Sequence, residues 1–181
     1  RTRQFFGLQY IYQTLTNSDG ADPIDYPAIM ANPAEFELVA TDAATGKPVY
    51  FTKDDMKQDD YRAIMASCAL PVMCRPISFK DQTYFDGGLS DSVPIMRAFA
   101  KGCDRVVVIL SKPRSFVKQP EGFRHIYRHA LRKYPQTIAA LDNRHLMYRQ
   151  NARDEKLEQE LYDLGISDFN ARLKELHTFL S

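Results

Sequence analysis

The 181-residue sequence lacks several things, and each gap narrows what the chain can be. It has no apolar run of the roughly 20 residues that a membrane-spanning helix requires. Cysteine is scarce: Cys68, Cys74 and Cys103 are odd in number and show no Cys-x-x-Cys spacing, so they read as reduced core thiols of a cytoplasmic protein. Internal repeats and low-complexity segments are absent. None of the nine serines lies in a Gly-x-Ser-x-Gly context, and there is no Gly-Gly-Gly run. Gly88-Leu89-Ser90-Asp91-Ser92 comes nearest and fails at its last position. The first residue is Arg1 rather than methionine, so the lack of a visible signal peptide says nothing about export.

What remains is an ordinary globular composition, 44% hydrophobic and 26% charged, long enough for one domain with a proper core. The formal net charge is +1 but unevenly spread. From Asn17 to Asp60 ten acids face three lysines, whereas Lys112 to Arg153 holds ten Lys or Arg against Glu121 and Asp142. The basic region suits either an anionic partner such as a lipid headgroup or a solvated helix face. Arg124, Arg128, Arg132 and Lys133 form a basic face without a nucleic-acid motif or aromatic platform, so nucleic acid is not expected as a partner. His125 and His129 share a helix face at i, i+4, but no third ligand of suitable spacing accompanies them. A catalytic zinc needs three protein ligands, so they read as a surface pair and no metal or cofactor is expected.

Read in order, Arg1 to Thr16 is loosely helical and Asn17 to Pro27 is a loop. Tyr26 to Ala31 is a helical turn. Glu35 to Thr41 and Val49 to Thr52 are strands joined through a Thr45-Gly46 turn. A helix from about Tyr61 to Ala69 stops at Pro71. Ile77 to Phe79 and Thr83 to Phe85 form a hairpin about Lys80-Asp81-Gln82. A helix begins near Pro94 and ends at Gly102. Arg105 to Leu110, continuously apolar after its arginine, has the pattern of a central parallel strand covered on both faces. Strand, helix and strand over Thr83 to Leu110 make a βαβ unit and predict an α/β fold. Helices are predicted from Phe123 to Lys133, from Pro135, and from Ser167.

One stretch concentrates chemistry: Thr83 to Pro94, TYFDGGLSDSVP. A short apolar run delivers Asp86 to the end of a strand, and Gly87 and Gly88 follow at once. Glycines permit positive φ or close approach to the backbone, and acids at such strand ends often serve ligands or catalysis. A plain Asp-Gly turn that only reverses the chain is the simpler reading of the same residues.

The wider segment from Ala66, ASCALPVMCRPISFKDQTYFDGGLSDSVPI, resembles the Asp-Gly-Gly region of the patatin-like phospholipases. There an Ala-Ser-x-x-x-Pro segment precedes the strand bearing the catalytic aspartate and an Asp-x-x-Pro segment follows it. FELVATDAATGKPVYF resembles a bacterial branch of the same family. The resemblance implies a three-layer α/β/α domain with a mainly parallel central sheet, of which residues 1–181 are the C-terminal part, incomplete at the N-terminus. It implies a Ser–Asp dyad acyl hydrolase acting on lipid or other carboxylic esters without a cofactor, with possible peripheral contact at a membrane. Asp86 takes the place of the general base, and Gly87 and Gly88 support the loop. The nucleophile elbow and oxyanion hole would lie upstream, so this chain alone is expected to be inactive. The alternative is a non-catalytic lipid- or protein-binding module on the same scaffold. The resemblance also implies a further strand after the long helix, for which no pattern stands near Gln150-Asn151: either this branch lacks it or the sequence skips residues there.

Overall fold

The computed structural model describes residues 6–109, 124–143, 173–175 and 177–178. Its centre is a four-stranded sheet: β1 (Glu37–Asp42), β2 (Pro48–Thr52), β3 (Ile77–Phe79) and β4 (Gln82–Asp86), in the order β2-β1-β4-β3. Each neighbouring pair is antiparallel, with Leu38 opposite Phe51, Ala40 opposite Asp86 and Ile77 opposite Tyr84.

Both hairpins form for local reasons. At the β1–β2 turn the Asp42 carboxylate accepts from the Thr45 N–H at 2.7 Å and from its hydroxyl at 2.8 Å, and Gly46 takes φ +68°. An acceptor side chain at the start and a glycine at the left-handed position are the usual ingredients of such a turn. At the β3–β4 turn Lys80 and Asp81 both have positive φ, +47° and +59°, the twist that a two-residue hairpin requires.

Side chains alternate across the strands. Ala40, Phe51, Ile77, Phe79 and Tyr84 enter one cluster, where Ala63, Met65 and Ala66 of α3 (Arg62–Ser67) pack on them. Phe51 meets Phe79 and Tyr84 edge-on at 5.4 and 5.0 Å between centroids. Phe85 points the other way and joins Ala43, Leu89 and Leu131, the last following α5 (Arg124–Ala130). The Thr137 hydroxyl of α6 (Pro135–Asn143) donates to the Ala43 carbonyl at 2.8 Å and ties that second cluster to the end of β1. The N-terminal segment, α1 (Leu8–Tyr10) continuing as a π-helical turn through Leu15, adds Leu8 and Tyr12 to the first cluster. The short helix α2 (Tyr26–Ala31) is capped by Asp25, whose carboxylate accepts from the Ala28 N–H. After β4 the chain makes a 3-10 turn, Gly87–Leu89, and enters α4 (Ile95–Ala100).

One expectation is corrected. Residues 105–109 carry no strand, Leu110 lies outside the described residues, and no parallel pairing occurs among those described. Among the described residues the β-branched run has no neighbouring strand, and Ile109 is 91% exposed. A strand with a continuous apolar pattern needs ladder partners and two covered faces, and neither is found here among the described residues. The βαβ unit over Thr83 to Leu110 therefore does not form in them. The regions around residues 111–122, Gln150-Asn151 and the Ser167 cap fall outside the described residues. Among those described, no helix is long and apolar enough to cross a membrane.

Candidate functional site

Asp86 is the last residue of β4, paired with Ala40 of β1, and its N–H donates to the Ala69 carbonyl just after α3 at 3.0 Å. By the alternation of the strand its side chain falls on the α3 side of the sheet, the side of Tyr84. The carboxylate accepts from the Gly88 N–H at 2.7 Å. Burial pushes its pKa up, and the Gly88 bond opposes this in part. A carboxylate so placed is more basic than a solvated one while still oriented by a donor.

The turn behind it is anchored from beneath. The Thr41 hydroxyl donates to the Asp86 carbonyl at 2.8 Å and lies 2.8 Å from the Ser90 hydroxyl. Ser90 and Asp91 both return N–H bonds to the Gly87 carbonyl, at 3.1 and 2.8 Å. The two glycines differ in what they permit. A Cβ on Gly87 would lie 2.2 Å from the Val39 carbonyl oxygen, so only glycine lets the turn press on β1. A Cβ on Gly88 would meet the Asp86 carboxylate at 2.9 Å.

A cleft of about 320 Å³ opens at this corner, lined among others by Val39, Ser67, Asp86, Gly87, Gly88 and Asp91. It runs along the stretch of β1 that β4 has left to make its turn. Its rim carries a polar network that sequence reading did not single out. Tyr50 donates its hydroxyl to Asp91 at 2.7 Å. Arg97 of α4 binds Glu37 of β1 through two bonds, 2.8 and 2.7 Å, and its guanidinium lies 4.6 Å from the Tyr50 ring centroid. Lys101 pairs with Glu35 at 2.9 Å and with Glu37 at 3.5 Å. The Arg97 bonds, with the charges of Arg97 and Lys101, hold the Glu37 carboxyl below its ordinary range. The sequence signal for this network was faint: Arg97 and Lys101 share one face of a short helix at i, i+4.

The other candidates are placed as follows. Ser90 is buried on Thr41 and is not among the residues lining the cleft. Burial pushes the Cys68 thiol up, opposed in part by its hydrogen bond with Tyr12, and on balance disfavours a thiolate there. His125 and His129 are exposed on α5, and no group of three or more metal-ligating side chains occurs among the described residues. A larger cleft, about 650 Å³, lies at the far end of β3 and β4 among the ion pairs Lys80–Asp55 and Arg62–Asp60, away from Asp86.

Asp86 at a strand's end, two glycines behind it and a cleft in front make up the corner that the sequence singled out. The family model for patatin-like phospholipases matches residues 8–99, just over half of the chain, and the chain belongs to that family. It is also similar to an uncharacterized protein, YjjU, of Escherichia coli (strain K12), with 29% identity over 110 residues. That match covers 53% of this chain and 30% of the relative, so the chain spans under a third of that protein's length.

Proposed function

We propose that the whole protein is a serine acyl hydrolase of lipid or other carboxylic esters in which Asp86 is the general base of a Ser–Asp dyad. The single observation that carries this is the Asp86 carboxylate, desolvated, held by the Gly88 N–H and bordering a cleft, within a segment matched by the patatin-like family. In this reading the aspartate takes the proton of a serine hydroxyl as the oxygen attacks the ester carbonyl. Asp86 gives that proton to the departing alkoxide, so the alcohol leaves and an acyl-enzyme remains; the regenerated carboxylate then takes a proton from the water that attacks it, and returns it to the serine as the acid is released. Burial supports the role, because a solvated carboxylate of pKa about 3.9 is a weak base at neutral pH.

In this reading the nucleophile and the oxyanion donors belong to a part of the same domain outside these 181 residues, which would complete a three-layer α/β/α arrangement with parallel strands. The cleft beside Gly87 and Gly88 is then where the serine loop sits. In this reading the protein works in the cytoplasm and meets its substrate at a membrane surface. A non-catalytic module on this scaffold is the second reading. Both are tested by turnover of p-nitrophenyl butyrate. The whole protein is expected to hydrolyse it and the isolated 181-residue chain is not. Turnover by the isolated chain that disappears with Ser90→Ala would overturn the assignment, and an inert whole protein would favour the binding module.

A further inference from the structure

We propose that Tyr50 is a positioning residue for the Asp86 base: by holding Asp91 on the rim, it fixes the turn that orients the Asp86 carboxylate and keeps the Asp91 carboxylate from turning toward Asp86. This rests on the reading of Asp86 as general base.

The geometry runs through one short segment. The Asp86 carboxylate is oriented by the Gly88 N–H, a group inside the Gly87–Leu89 turn. That turn is pinned on its inner side by Thr41, through the Asp86 carbonyl and the Ser90 hydroxyl. On its outer side it closes at Asp91, whose N–H returns to Gly87 and whose carboxylate accepts from the Tyr50 hydroxyl at 2.7 Å. Tyr50 stands on β2, beyond β1, opposite Val39. Its ring is held under the Arg97 guanidinium, which is itself fixed by two bonds to Glu37. Strands β1 and β2, the turn and α4 thus close into one ring of contacts, and the phenol hydroxyl is the link from that ring to the turn.

The charges around Asp86 give this clamp a chemical consequence. Glu37 and Asp91 line the cleft together with Asp86, and no Lys or Arg does. Cys68 and Cys74 face Asp86 from the segment after α3, and burial keeps both thiols above their ordinary range. Glu37 is neutralised by Arg97 and Lys101. The Asp91 carboxylate has Tyr50 as its hydrogen-bonded restraint. Both carboxylates border the cleft; freed from the phenol, Asp91 is no longer held away from Asp86, and a like charge brought nearer disfavours ionisation of Asp86.

The experiment measures kcat, KM and the pH–rate profile of the whole protein on p-nitrophenyl butyrate, with Asp86→Asn as a reference. Tyr50→Phe deletes one hydroxyl and retains the ring under Arg97. Its kcat is expected to fall about ten- to a hundredfold, the cost of a misplaced catalytic group, with KM nearly unchanged. Its acid limb is expected to move to higher pH, since Asp86 must be ionised to act. The double variant Tyr50→Phe/Asp91→Asn is expected to bring that limb back, because the amide carries no charge. An unchanged kcat and limb in Tyr50→Phe, while Asp86→Asn is inactive, would overturn the clamp and leave the base reading standing. A fall in kcat with the limb unmoved and no return in the double variant would also overturn it, as general loosening. Full activity in Asp86→Asn would overturn the base reading and the clamp together.

Discussion

The Cβ that Gly87 lacks would lie 2.2 Å from the Val39 carbonyl oxygen, whereas the one that Gly88 lacks would lie 2.9 Å from the carboxylate of Asp86. Adjacent glycines therefore answer to different demands, one from the fold and one from the site. Gly87→Ala forces backbone against backbone and is expected to cost about 1–3 kcal/mol of stability, the range for overpacking in a close-packed interior. Gly88→Ala displaces the end of a side chain, so it is expected to lower ester turnover by about tenfold or more with a smaller loss of stability. Urea denaturation of both variants beside turnover of the whole protein checks the pair. Equal effects of the two on stability and on rate would contradict the distinction.

A second prediction follows from the desolvation of Asp86. Its folded-state pKa is raised, chiefly by burial, so ionising it costs the folded state more than the unfolded one. Stability from this group is therefore full at pH below the ordinary carboxylate pKa, about 3.9, and is lost as pH rises through the folded value. Asp86→Asn keeps an acceptor for Gly88 and carries no charge. It is expected to melt higher than the natural protein at pH 7, with the gap closing as the pH falls toward 4. A gap that is absent or reversed at pH 7 would contradict the burial of this carboxylate.

The cysteines give a third test. Cys103 is exposed beyond α4, while Cys68 and Cys74 are half-buried with thiols pushed up by desolvation. Iodoacetamide at neutral pH is expected to alkylate Cys103 first and Cys68 and Cys74 at least about tenfold more slowly, because the thiolate is the reacting form. Peptide mapping over time reads the order. Faster labelling of Cys68 would contradict the desolvation of that thiol.

Much of this corner was legible because its signals are local. The Thr45-Gly46 turn, the hairpin around Lys80-Asp81, and Asp86 at a strand's end each depend on residues within a few positions of one another. The helix predicted from Tyr61 to Ala69 forms as Arg62–Ser67, ending before Pro71 as proline's missing donor dictates. The direction of the sheet was not legible. The pattern of Arg105 to Leu110 states that a strand wants burial, but pairing depends on which partners are within reach, and that is long-range information. The rim network was also missed, since Tyr50 and Asp91 are 41 positions apart and nothing near either residue marks the other.

The central claim is that Asp86 is the base of an acyl hydrolase, and the measurement that bears on it most directly is the turnover of Asp86→Asn in the whole protein on p-nitrophenyl butyrate, with circular dichroism confirming the fold. Replacing carboxylate by amide removes basicity at almost constant shape, and a positioned general base contributes about 10²–10⁴-fold. The account predicts a loss of that size in a folded variant. A folded Asp86→Asn protein that retains the natural rate would contradict it.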